Sequence, residues 1–127
     1  MPINLKADPP AATLFDKDAE DVAKRLDATG GTDKVNSSTQ LRRFYDELVG
    51  WQERIGNDDA RFKEYEAFVK MLNAKAEYAK GRRPQLVNQA FVDWFRDCIG
   101  QVSDARTLKH FRLHFEAMLG FLKALRG

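Results

Sequence analysis

Cysteine is almost missing from this chain: Cys98 is the only one in 127 residues. A single thiol builds neither a disulfide framework nor a Cys-rich zinc site. Histidine is nearly as scarce, with only His110 and His114. Four positions apart, they can share one helix face. A zinc-protease helix, however, carries Glu directly after its first His, and Phe111 stands there. With no third ligand nearby, no metal is expected; His110 reads as a surface residue and His114 as a partly buried one. Paired catalytic acids are also wanting, because Asp58-Asp59 is explained by helix capping. Gly30-Gly31-Thr32 lacks the lysine and the spacing of a phosphate loop. Cys98 has no partner histidine and reads as a buried thiol. These absences leave no enzyme and no cofactor.

Long apolar runs are absent as well. Nothing approaches the ~20 residues that span a bilayer, and no basic-then-apolar leader opens the chain, so a cytoplasmic protein without a membrane partner is expected. No stretch alternates with period two for long enough to make a strand. Charge of one sign is lacking too, the net being only +2. It is unevenly spread: residues 1–33 hold four Lys/Arg against seven Asp/Glu, and residues 34–127 hold seventeen against twelve. The body is basic and the N-terminal segment acidic, which permits a polyanionic partner without requiring one.

What the chain does have is helical periodicity. Pro2, Pro9 and Pro10 crowd the start, so Met1 to Leu14 is expected to be a mobile tail. Residues 16–28 form a short helix with Phe15, Ala19, Val22, Ala23 and Leu26 on one side. Gly30 to Asp33 breaks it. Ser37-Ser38-Thr39-Gln40 supplies N-cap residues for a helix carried by Leu41, Phe44, Tyr45, Leu48 and Ile55 and stopped at Gly56-Asn57. Asp58 or Asp59 starts the next, with Phe62, Tyr65, Phe68, Val69, Leu72, Ala76 and Ala79 reaching Gly81. Pro84 suits the opening of a fourth, ending at Gly100. Ser103 or Asp104 caps a fifth with a wide apolar stripe from Leu108 to Leu125. Trp51 and Trp94 read as core or bundle-edge residues. The expectation is an all-α compact bundle of about five helices with short connections, divided into a tail and short acidic helix (1–35) and a helical bundle (36–127).

Cations mark the candidate site. Lys75, Tyr78 and Arg82 fall at i, i+3 and i+7, placing two cations and a ring on one helix face. Lys80 and Arg83 flank them at a helix end that favours positive charge in any case. Arg42 and Arg43 sit in the early turns of a helix, where Arg opposes the dipole and therefore calls for another reason. A solvated face offers one, through Arg42–Asp46 and Arg43–Glu47 pairs. On the last helix Arg112 and Lys123 lie on the polar side, with Glu116 available to Arg112. Tyr78 is expected to pack.

Three segments carry a resemblance. Ser38-Thr39-Gln40-Leu41-Arg42-Arg43-Phe44-Tyr45, then Ala74-Lys75-Ala76-Glu77-Tyr78-Ala79-Lys80-Gly81-Arg82, then His114-Phe115-Glu116-Ala117-Met118-Leu119-Gly120-Phe121-Leu122-Lys123 come in an order and spacing that resembles the small subunit of the type III-A CRISPR effector, the Csm complex. The resemblance covers roughly residues 36–125, with Phe121 where the pattern has tyrosine. It implies a non-catalytic protein of antiviral defence whose copies stack head to tail into a filament. Its implied neighbours are the repeated backbone subunit and the large Palm-domain subunit, and its implied ligands are guide RNA and target RNA, with RNA cleavage left to the backbone subunits. The RNA-contacting candidates are then Arg42, Arg43, Lys75, Lys80, Arg82, Arg83, Arg112 and Lys123, touching backbone phosphates and not reading sequence. The rival readings are a helical protein-interaction adaptor with no nucleic-acid role, whose cations would be scattered over all faces, and a helix-turn-helix DNA binder.

Overall fold

Apolar residues at helical spacing and well-placed caps produce helices throughout the computed structural model, which describes residues 3–30 and 35–127. Six helices follow in order: α1 (Lys17–Gly30), α2 (Ser38–Ile55), α3 (Asp59–Lys70), α4 (Leu72–Gly81), α5 (Gln89–Gln101) and α6 (Ala105–Arg126). The all-α expectation holds. Several boundaries follow from local chemistry: Ser37 Oγ accepts from Gln40 N–H, Asp58 accepts from Ala60 and Arg61 N–H, and Asp104 forms a capping box with Thr107. Gly56 ends α2 at φ 60°, a conformation that favours glycine. The expected break at Gly31, Thr32 and Asp33 lies outside the described residues.

The expected single helix over 58–81 is divided. Met71 is at once the last cap of α3 and the first of α4. Just before it, the Lys70 ammonium donates to the Ile99 and Val102 carbonyls (2.6 and 2.7 Å), which anchors the bend to the C-terminal end of α5. Pro84 does not open a helix either. Asn88 is the N-cap, its side chain accepting from Phe91 N–H at 3.2 Å, while Leu86 N–H bonds back to Ala79 O. Val87 is buried, but from this connection and not from a helix.

α2 runs antiparallel to both α4 and α6. Ser38 at its start meets Arg126, Tyr45 meets Glu116, and Glu47 meets Lys75. α1 lies along α6 in the same direction, with Leu14 beside His114 and Asp27 beside Arg126. Between these helices sits an aromatic core of Phe44, Phe91, Trp94, Phe95, Phe111 and Phe115, in which Trp94 and Phe115 meet edge to face at 5.0 Å.

The segment expected to be a mobile tail is docked. Ile3, Leu5 and Leu14 are buried. Gln101 exchanges hydrogen bonds with Leu5 N–H and Ile3 O, and Arg106 donates to Lys6 O and Ala7 O. His110, expected at the surface, is buried because its Nδ1 bonds the Leu5 carbonyl at 2.8 Å. His114 Nδ1 likewise bonds Leu14 O at 2.8 Å, and Trp94 Nε1–H donates to its Nε2 at 3.1 Å. This fixes a neutral, Nδ1-protonated imidazole. Cys98 is fully buried, and burial pushes its thiol well above the usual range.

Candidate nucleic-acid interface

α2 carries the centre of the site because its two arginines point to either flank. Leu41, Phe44, Tyr45 and Leu48 fill its buried face, which leaves Arg42 and Arg43 exposed on adjacent sides of the helix. Arg42 enters the groove against α6, a depression of about 680 Å³ lined also by Ser38, Tyr45, Arg112, Glu116 and Lys123. Arg43 enters the shallower groove against α4, with Gln40, Glu47, Lys75 and Ala79. The two grooves share the exposed ridge of α2.

The floor of the α2–α6 groove is a polar relay. Tyr45 donates to Glu116 Oε1 at 2.9 Å, and Arg112 Nη2 stands 3.4 Å from the same oxygen. Burial first, then the bond to Glu116, raises the Tyr45 hydroxyl pKa, so it stays a donor at neutral pH. Arg112 Nε is buried with no hydrogen-bond partner among the described residues. Gly120 on α6 adds no side chain to this wall.

The cations differ in how free they are. Arg42, Arg43, Arg82, Lys123 and Arg83 form no ion pair among the described residues, and the Arg42–Asp46 and Arg43–Glu47 pairs of a solvated face do not form. Lys75 does pair, with Glu47 at 2.9 Å. Lys80 reaches Glu77 at 3.1 Å and Gln89 at 2.8 Å. Arg83 folds back onto the Gly81 and Arg82 carbonyls and caps α4. Tyr78, expected to pack, is 71% exposed. Antiparallel packing brings the start of α2 to the ends of α4 and α6. Arg42, Arg43, Lys80, Arg82, Arg83 and Lys123 therefore lie at one end of the molecule, with Lys75 and Arg112 further in. Sequence reasoning missed Glu47 as the partner of Lys75, and Tyr45 with Glu116, because partners on different helices leave no periodic signal. It also missed Arg126, which binds Asp27, Asn36 O and Ser38 at the same end.

Guanidinium and ammonium groups with spare donors suit phosphate oxygens. No cluster of three or more His, Cys, Asp or Glu suited to a metal occurs among the described residues.

The family described as Csm2 Type III-A matches residues 10–127. The chain belongs to that family. No curated protein and no solved structure matches it significantly. Csm2 membership makes this a small subunit of a type III-A Csm complex, a structural component that associates with other Csm subunits. The matched range takes in α1. No helix among the described residues is long and apolar enough to cross a membrane.

Proposed function

We propose that this Csm2 chain stacks in copies along guide RNA and target RNA and holds them by sequence-independent contacts to backbone phosphates, leaving cleavage to other subunits. The observation that carries this is the meeting of cations from three distant stretches at one end of the bundle, several of them without a carboxylate partner. Unpaired like charges gathered at one end repel one another, and a phosphate backbone laid across them would offset that repulsion. Arg42, Arg112 and Lys123 form one cradle and Arg43 the edge of a second. Lys75, tied to Glu47, must exchange partners before it can touch phosphate. Arg82 and Arg83 extend the strip past the end of α4.

The test is RNA binding by fluorescence anisotropy with two unrelated sequences. Arg42→Ala/Lys123→Ala is expected to weaken binding to both equally, by about tenfold, and Lys75→Ala by less. Unchanged affinity in Arg42→Ala/Lys123→Ala, or marked preference for one sequence, would sink the reading.

A further inference from the structure

The groove between α2 and α6 holds one side chain that phosphate binding does not explain. Among Arg42, Arg112 and Lys123 stands the carboxylate of Glu116. A negative group there repels the phosphate oxygens that the three cations attract. An ordinary ion pair on a helix face would need only Arg112, four positions earlier on α6. Glu116 is held more firmly than that. Tyr45 on α2, only 9% exposed, donates its hydroxyl to Oε1 at 2.9 Å, and Arg112 Nη2 stands 3.4 Å from the same oxygen.

Both contacts use one oxygen. Oε2 has no hydrogen-bond partner among the described residues, and the side chain is 55% exposed. One oxygen is thus pinned to the groove floor while the other is offered to whatever enters. Space is left for an entrant. Gly120 lies one turn further along α6 on the same face, and an added Cβ there would meet nothing within 4 Å. Leu119 and Leu122 supply apolar wall beside it.

A carboxylate only accepts hydrogen bonds, whereas guanidinium and ammonium groups only donate. A ligand that satisfies both carries phosphate oxygens with a donor close by. A ribonucleotide backbone offers a phosphate, a 2′-hydroxyl and the carbon face of a sugar at every step. A base amino group also donates, but its position changes with sequence. We propose that Glu116 selects RNA over DNA in this groove, its free oxygen accepting the ribose 2′-hydroxyl of a nucleotide whose phosphate lies on the neighbouring cations. Tyr45 is a positioning residue that holds the carboxylate for this contact. With deoxyribose the acceptor meets carbon, and its repulsion of phosphate goes unrelieved. This rests on the proposed phosphate contacts and adds the sugar to them.

The test is fluorescence anisotropy with short oligonucleotides of two unrelated sequences, each made as RNA, as 2′-fluoro RNA and as DNA. The fluoro strand keeps the ribose pucker but has no proton to give. Wild type is expected to bind RNA about tenfold more tightly than the fluoro strand, the size of one hydrogen bond to a charged group, and to bind DNA most weakly. In Glu116→Gln the RNA and fluoro affinities should converge, and DNA affinity should rise because the repulsion is gone. Tyr45→Phe keeps the buried ring but frees the carboxylate, and should narrow the preference to less than about threefold. Equal binding of RNA and fluoro RNA by wild type, or a preference above about threefold in either variant, would overturn the proposal. So would a preference seen with one sequence only, which points to a base amino group. Arg42→Ala/Lys123→Ala in the same titrations should weaken RNA and DNA alike. Absence of that loss means failure of the phosphate reading, whereas failure of the sugar contact alone leaves the loss in place.

Discussion

Asn36 is the one non-glycine residue at positive φ among the described residues, at 56°, and it is fully buried. Its amide donates to Leu26 O and Asn88 Oδ1 and accepts from Asn88 N–H. Its backbone donates to Leu86 O and accepts from Arg126. One residue thereby ties α1, the α4–α5 connection and the end of α6 together beside the basic groove. Asparagine suits the position because its short polar side chain tolerates the left-handed region. Asn36→Ala is expected to destabilise by about 2–4 kcal/mol, from orphaned polar groups plus backbone strain. Asn36→Gly should cost less, since it relieves the strain alone. Urea denaturation of both variants checks this; equal losses would show that conformation is irrelevant there. Nothing in the sequence around Lys34-Val35-Asn36 announces the role, because every partner except the Leu26 carbonyl lies at least fifty positions away.

At the scale of elements, the N-terminal strap is clasped by α5 and α6 through His110, His114 and Gln101. Burial first, opposed by the bond to Leu14 O, lowers the His114 pKa from its ordinary value near 6.5. The folded state therefore prefers the neutral ring. Its contribution is fully present above pH ~6.5 and is lost as pH falls below that value, because protonation puts an N–H where Trp94 already donates. Stability measured by Trp fluorescence in urea should fall as the pH drops below about 6.5. His114→Asn, whose amide can still donate to Leu14 O, should flatten that step. A profile identical to wild type would place the pH dependence elsewhere. The strap also marks where sequence reading stops. Caps at Ser37, Asp58 and Asp104 are legible because each acts within three residues of itself. The prolines near the start suggest a mobile tail, whereas Ile3, Leu5 and Leu14 find their pocket only once α5 and α6 have met. Local propensity also favours Pro84 as a helix opener, but the Asn88 side chain captures the Phe91 amide and wins. Met71 divides a helix whose pattern runs on without a break, since Lys70 is held by carbonyls about thirty residues away.

For the whole molecule, the antiparallel run of α2 beside α4 and α6 is what brings scattered cations to one end, in two grooves on either side of α2. The motif residues are legible one by one. Which of them stay unpaired is not, because Lys75 meets Glu47 across helices while Arg42 and Lys123 face a groove with only Glu116 to share. The salt dependence of RNA affinity tests this most directly, since every phosphate that the protein neutralises releases a fixed share of counterions. Plotting log affinity against log salt for wild type and Arg42→Ala/Lys123→Ala should show a slope shallower by about 1.4 in the variant, at ~0.7 per neutralised phosphate on single-stranded RNA. Parallel lines for the two proteins would contradict the account, because the groove between α2 and α6 would then hold no phosphate.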